Sequence, residues 1–205
     1  HQRSPSVTVS IGGFVPKPFT PFQWFGQNTE EELRRKIYLL RDDAKKSHNV
    51  QMKWHDSRAT VVEGLMSRGD RRLGPVIEDV WRAGGVFQEW SEHFDISLWT
   101  EALERHGLSF EGYVYRHRTE DEIMPWDHLS AGLHKDFLWQ EWRDALNEVG
   151  LEDCRWTPCY DCGACTGYGI EHVVASAVPP AGGSQGTGQP SNGGAVPVQL
   201  AGLKS

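Results

Sequence analysis

Four cysteines lie close together in the segment DCRWTPCYDCGAC (153–165), and they are the only cysteines of the chain. Their spacing is Cys-x4-Cys-x2-Cys-x2-Cys. A two-residue gap lets a turn direct two sulfurs at the same ion, and Gly163 permits the tight backbone that such a turn needs. We therefore predict that one inorganic centre is held by Cys154, Cys159, Cys162 and Cys165.

The spacing leaves the identity of that centre open. Four thiolates suit tetrahedral zinc, and they also suit an iron–sulfur cluster, for which one ferredoxin spacing has similar gaps. The alternative is two disulfides, which such short loops and the absence of any sign of secretion disfavour. With either metal, the alternative to a chemical role is a purely structural site that only stabilises the fold.

A second group of polar residues follows a predicted strand at 50–55. Lys53 and His55 share one face of that strand, at the kind of strand end where α/β folds place functional groups. Lys17 is the one charged residue of the apolar segment FVPKPFTPFQW (14–24), where it either points at a ligand or extends to water. We name Lys17, Lys53 and His55 as candidate cofactor contacts, and an ordinary polar strand end is the alternative for Lys53 and His55.

A cluster of arginines offers a further candidate. Arg68, Arg71 and Arg72 lie within RGDRR (68–72), near the start of a predicted helix. Their guanidinium groups could bind a phosphate or an RNA backbone. The alternative is a solvated turn with local ion pairs.

Hydrophobic periodicity predicts a strand–helix–strand unit in the first third of the chain. SVTVSI (6–11) and residues 50–55 alternate between apolar and polar residues, as half-buried strands do. Asn28 or Thr29 is expected to cap the helix between them, and Thr29 with Glu32 fits a capping box. This order of elements indicates a parallel sheet. Residues 14–24 contain three prolines and are predicted to form an extended loop.

Helical periodicity dominates residues 57–150. Thr60 is expected to cap a helix that ends at Gly69, and an apolar stripe predicts a second helix over 73–83. Asp95 is expected to begin a third helix, and the last one covers 138–149. From about residue 175 the composition is rich in Gly, Pro and Ser, so we predict a flexible linker at 173–205.

Composition restricts the class of protein. The 205 residues are enough for one ordinary domain, and the net charge of -7 argues against binding nucleic acid or membrane surfaces by charge alone. No segment approaches the roughly 20 apolar residues of a membrane span. We expect a cytoplasmic protein that makes no membrane contact. Because the chain begins with His1, we also expect it to be a fragment.

Several motifs together resemble one family. They are FVPKPFTPFQW (14–24), KWHD with RGDRR (53–72), WSEHFD (90–95), PWDH (125–128) and the cysteine segment (153–165). This combination resembles the C-terminal part of an uncharacterised group of radical SAM proteins that carry an N-terminal cobalamin-binding-type domain. The resemblance covers about residues 5–170.

The resemblance implies an α/β fold built in four parts. Residues 1–56 would form the last strand–helix–strand of a partial (β/α) radical SAM barrel, with the loop 14–24 at its mouth near the cofactor. Residues 57–150 would form a mainly helical extension beside it. Residues 151–172 would form a metal-binding segment (the knuckle), and 173–205 a disordered tail.

The resemblance also implies an activity. Members of this family use a [4Fe–4S] cluster and S-adenosylmethionine to generate a 5′-deoxyadenosyl radical. The resemblance leaves open whether cobalamin is bound. Their cluster motif, Cys-x3-Cys-x2-Cys, is absent here and is expected upstream of His1 with the cobalamin-type domain, so this fragment should be inactive alone. The substrate is unknown, and RNA or a ribosomal component is one option. The alternative function is a zinc-stapled helical module that recognises RNA or a protein without redox chemistry.

Overall fold

The computed structural model describes residues 5–170, so the predicted linker at 173–205 lies outside the described residues. The described part is mixed α/β and mostly helical, with one small parallel sheet. Its strands and α-helices, in chain order, are β1 (Val7–Ile11), α1 (Glu30–Ala44), β2 (Val50–Trp54), α2 (Ser57–Arg68), α3 (Leu73–Arg82), α4 (Ile96–Arg105) and α5 (Lys135–Leu146).

The predicted strand–helix–strand unit is confirmed. β1 and β2 pair in parallel, with Val7 opposite Val50 and Ile11 opposite Trp54. The helix between them begins as expected, because the Thr29 hydroxyl accepts a hydrogen bond from the backbone N–H of Glu32 at 3.3 Å. This cap satisfies one of the amide groups that the first helical turn leaves without a partner.

A barrel is not formed by the described residues, whose sheet has only two strands. Both strands are largely open to solvent, and Val7 and Val9 keep 52% and 40% of their surface exposed. The membership of residues 1–56 in a radical SAM barrel therefore stays a prediction. Among residues 5–170, no helix combines the length and the apolar character that crossing a bilayer requires.

The start of α2 differs from the prediction. The helix begins at Ser57, and its cap is Asp56, whose carboxylate accepts the backbone N–H of Arg58 at 2.9 Å. Thr60, the predicted cap, lies inside the first turn, and its hydroxyl donates to the Asp56 carbonyl oxygen at 3.0 Å. Asp56 prevails because an ionised carboxylate is favoured at the positive end of the helix dipole. The predicted end at Gly69 is correct, since α2 stops at Arg68.

The later helices lie near their predicted positions, although the last one, predicted over 138–149, is α5 (Lys135–Leu146) and begins and ends three residues earlier. α3 covers 73–82, and α4 starts directly after Asp95, whose carboxylate accepts the Ser97 N–H at 2.9 Å. Apolar side chains of α2, α3 and α4 form the larger core, centred on Leu65, Val76 and Leu103. This core holds the helical extension together without a contribution from the sheet strands.

A second, smaller core is built from aromatic residues. Trp24 is fully buried against Trp126 and Leu138, and its ring lies 5.0 Å from that of Trp139 in an edge-to-face arrangement. The loop that carries Trp24 was predicted to be extended, but its end forms a short 3₁₀ helix, Pro21–Trp24. Proline is well tolerated at the first position of a helix because its missing N–H would have no partner there.

Candidate metal centre

All four cysteines of the knuckle line one cavity of about 290 Å³. Their thiols are free, so the disulfide alternative is not what the structure shows. Cys154 and Cys159 are exposed, whereas Cys162 and Cys165 are half-buried. Phe137 and Glu141 of α5 line the same cavity. The tertiary structure thus brings the predicted ligands and one face of a helix to a single cavity.

The backbone of the knuckle is shaped by two residues with positive φ. Asp161 has φ 54° and Gly163 has φ 89°, both in the left-handed region. The turn brings the Asp161 N–H to 3.3 Å from the Cys159 sulfur, to which it donates. Gly163 cannot be replaced without movement, because a Cβ there would lie 2.5 Å from the Gly132 carbonyl oxygen. The predicted role of Gly163 in the turn is supported by this close approach.

The knuckle is anchored to the start of α5. The backbone N–H of His134 donates to the Cys162 carbonyl oxygen at 2.9 Å, one residue before the helix begins. Two internal hydrogen bonds close the far side, from Gly167 N–H to the Gly163 carbonyl oxygen at 2.7 Å and from Ile170 N–H to that of Cys165 at 3.0 Å. Cys162 and Cys165 consequently belong to the better fixed half of the site.

Acidic groups accompany the thiols. Glu141, Glu152 and Asp161 line the same cavity, and burial, followed by the nearby Asp144, raises the pKa of Glu141. Beside the cavity, the Arg155 guanidinium holds the pKa of Asp153 at about 2. Gathering four thiolates in such surroundings is unfavourable without a cation, so the arrangement suits a positively charged centre.

The donor set fits zinc or an iron–sulfur cluster, although the sulfurs do not yet converge. In the part of the chain that the structure describes, no group of three or more His, Cys, Asp or Glu side chains is arranged to hold a metal ion. Metal binding supplies the free energy that draws deprotonated thiols together, so a preformed cage is not required. Four sulfur ligands on one short segment match a closed Cys₄ site, for which no fifth residue is needed.

The candidate cofactor contacts lie apart from this centre. Lys17 is held in an ion pair, with its Nζ 2.5 Å from a carboxylate oxygen of Glu63 and 2.9 Å from the Ser67 hydroxyl. His55 lines a crevice at the carboxyl ends of the strands, but Lys17 and Lys53 do not line it. The structure therefore brings His55 together with Glu63, the partner of Lys17, and leaves Lys53 exposed on β2.

The arginine cluster is not the surface patch that the sequence indicated. Arg68 is fully buried, and burial lowers its pKa to about 10, with Arg118 and Arg116 as further causes. Arg72 pairs with Asp70 at 2.7 Å, as the solvated-turn alternative anticipates. The interpretation of Arg68 as a phosphate or RNA contact is wrong, because its guanidinium is used within the core.

Other residues that line the cavity were missed by reasoning from sequence. Phe137 and Glu141 are spaced four residues apart on α5, so they share one helix face and both reach the cavity. Leu151 and Tyr160 complete the apolar part of its lining. The i, i+4 spacing was the only local signal, and nothing in the sequence indicated that this face would meet the knuckle.

Comparison with known proteins identifies no relative. No protein-family model matches the chain, and no match is found among curated proteins or solved structures. The function is therefore argued from the residues and their geometry.

Proposed function

We propose that the knuckle binds a single zinc ion or iron–sulfur cluster, and that this centre serves a radical SAM enzyme of which the chain forms the C-terminal part. The observation that carries the metal centre is that four free thiols, the only ones in the sequence, line a single cavity. The enzyme assignment is supported by the motifs within residues 14–165 that resemble the radical SAM family. The ligands are Cys154, Cys159, Cys162 and Cys165.

The surrounding residues have defined tasks in this proposal. The Asp161 N–H partly offsets the negative charge on the Cys159 sulfur. Phe137 and Leu151 supply apolar surface to the cavity lining. When bound, an iron–sulfur cluster would supply one-electron transfer, whereas zinc would supply cohesion alone. The hydrogen bond between His134 and Cys162 would attach the metal centre to the start of α5.

The sheet supports the place of this chain in a larger α/β enzyme. Parallel sheets normally have both faces covered, and a pair of strands is rarely stable alone. The exposure of Val7 and Val9 is therefore what the end of a longer sheet would show. S-adenosylmethionine would be bound by the barrel. Because the sequence lacks Cys-x3-Cys-x2-Cys, we expect no cleavage of S-adenosylmethionine by this chain alone.

A second candidate function is a zinc-stapled helical module that recognises a partner without redox chemistry. Trp81 and Trp90 favour it, since they expose 62% and 61% of their surface, and exposed tryptophans are common anchors of protein interfaces. Burial of Arg68 removes one of the residues on which RNA binding depended. A protein partner is therefore the stronger version of this alternative.

Anaerobic purification of the 205-residue chain tests the proposal. We expect about one zinc ion, or a brown protein with iron, sulfide and an absorbance band at about 400 nm. Replacing Cys162 by Ser should abolish stoichiometric metal, whereas Thr8→Ser on the exposed strand β1 should leave it unchanged. Material with neither iron nor zinc, or with the cysteines oxidised to disulfides in the freshly purified chain, would falsify the proposal. Bound iron would exclude the zinc-stapled module, whereas bound zinc is compatible with both functions.

A further inference from the structure

A crevice of about 630 Å³ lies at the carboxyl ends of β1 and β2, on the first turns of α2. Its other wall is the segment 88–94 together with Trp99 of α4. In open α/β sheets, ligands bind in the crevice outside the carboxyl ends of parallel strands. None of the four cysteines lines this crevice, so it is independent of the metal centre.

The shape of the crevice depends on a close contact between the turn after β1 and α2. A Cβ on Gly13 would lie 2.6 Å from the Thr60 methyl carbon, so only glycine lets the turn pack this closely. At Gly12, in contrast, a Cβ would meet nothing within 4 Å. The turn therefore packs tightly against α2 at Gly13 and leaves open space beside Gly12.

The charges around the crevice disfavour an anion. A helix N-terminus next to a glycine turn commonly binds phosphate. Here Asp56 already accepts the Arg58 N–H in the first turn of α2 and pairs with the Arg58 side chain at 2.6 Å. Glu63 is neutralised by Lys17. Glu89, the third carboxylate of the lining, has no ion-pair partner within residues 5–170, so the crevice carries an excess of negative charge.

The walls of the crevice are apolar and held in place. Phe94 and Trp99 present rings, and the Trp99 indole N–H donates to the Gln88 side-chain oxygen at 3.3 Å. The Gln88 amide nitrogen donates to the His93 carbonyl oxygen at 2.6 Å, and its oxygen also accepts the Asp95 N–H at 3.2 Å. Gln88 therefore braces the wall. Trp99 is only 7% exposed, and the Arg58 guanidinium lies over the Phe94 ring, 5.8 Å from its centroid, so little of either ring face is open to a ligand.

From this combination we infer that the crevice binds a small organic cation, with an apolar body on the lining formed by Ala59, Met66 and the open part of Phe94, and a primary amine at the Glu89 carboxylate. The apolar body removes this lining from water, which supplies most of the affinity. The amine supplies selectivity, because an anion of the same shape would meet an uncompensated carboxylate.

The test compares two probes of the same size and opposite charge. Binding of tryptamine and of indole-3-propionate to the full chain is measured by saturation-transfer NMR and by titration calorimetry. We expect tryptamine to bind about threefold to fivefold more tightly, the range that a partly exposed ion pair provides. Equal or tighter binding of indole-3-propionate, or no binding of either probe, overturns the inference.

Variants locate the bound probe. Glu89→Gln should weaken tryptamine by about threefold to fivefold and leave indole-3-propionate unweakened. Glu92→Gln, in the same segment but outside the lining, is the matched control and should bind like the wild type. Ala59→Leu keeps helix propensity, fills the crevice and should weaken both probes. Unchanged tryptamine binding in Glu89→Gln or in Ala59→Leu would place the probe elsewhere and refute the site.

The inference stands or falls separately from the proposed metal centre. The same titration on Cys162→Ser should give the wild-type tryptamine affinity, because the knuckle contributes no residue to the crevice. If Cys162→Ser loses its metal but still binds tryptamine, the inference is retained. If the metal-loaded wild-type chain does not bind tryptamine, the inference is wrong.

Discussion

Replacing Arg68 by Met should cost the chain about 4 kcal/mol of folding free energy, because each backbone carbonyl left without a donor costs about 1 kcal/mol or more. The guanidinium is fully buried and donates to four carbonyl oxygens that come from two distant segments. Their residues are Gln23, Phe25, Tyr113 and Arg116, at distances between 2.6 and 3.2 Å.

Two effects act in the opposite direction but are smaller. Removing the charge relieves the desolvation that lowers the pKa of Arg68, and it relieves repulsion from Arg118. Met fills part of the volume, but it has no donor for the four carbonyls. Loss of a buried hydrogen-bonded charge is among the few mechanisms that exceed 4 kcal/mol, so the loss of donors should dominate.

Urea denaturation followed by far-UV circular dichroism measures the change. Arg68→Lys keeps the charge but replaces the planar fork of donors with one ammonium group, so its loss should be smaller than that of Met. Arg71→Met, at an exposed position in the same segment, is the matched control and should change stability by less than about 0.5 kcal/mol. A loss below about 1 kcal/mol for Arg68→Met would refute the buried network.

Two further predictions concern packing and protonation. Gly64→Ala in α2 should destabilise the chain by about 2 kcal/mol or more, because the new Cβ would lie 2.1 Å from the Gln27 side-chain oxygen. Gly74→Ala is the control: its Cβ would meet nothing within 4 Å, so in the same assay it should be neutral or stabilising by about 0.5 kcal/mol. Equal effects of the two changes would contradict this packing. Burial, and then Arg68, lowers the pKa of His117, whose Nδ1 accepts the Gly26 N–H at 3.3 Å. Stability from this contact should be present above the unfolded pKa of about 6.5 and lost as pH falls below it; a His117→Asn variant that kept the same pH dependence would show that another group is responsible.

Local signals were enough to place most secondary structure. Thr29 and Asp95 cap their helices as predicted, because a capping side chain needs only the two or three residues that follow it. The alternation of apolar and polar residues along β1 and β2 is likewise visible within each short segment of the sequence. The start of α2 was predicted four residues too late, because Asp56 and Thr60 both carry capping side chains and the choice between them depends on local energetics.

Burial was where reasoning from sequence failed. Arg68 looked like a surface residue beside Arg71 and Arg72, yet it fills the core. A buried guanidinium is stable only where several carbonyls converge on it, and those of Arg68 come from segments 43 to 48 residues away in the chain. The exposure of Trp81 and Trp90 is likewise not indicated by their neighbours in the sequence, because the packing of distant segments decides which side chains are covered.

The sequence by itself determined the cysteine set, its spacing and the parallel strand–helix–strand unit, since each is a property of residues near one another in the chain. Only the tertiary structure decided that α5 faces the knuckle, that His55 lines a crevice with Glu89, and that Lys53 does not. Packing of apolar faces decides which distant segments meet, and that packing is a sum over many weak contacts that no short motif records.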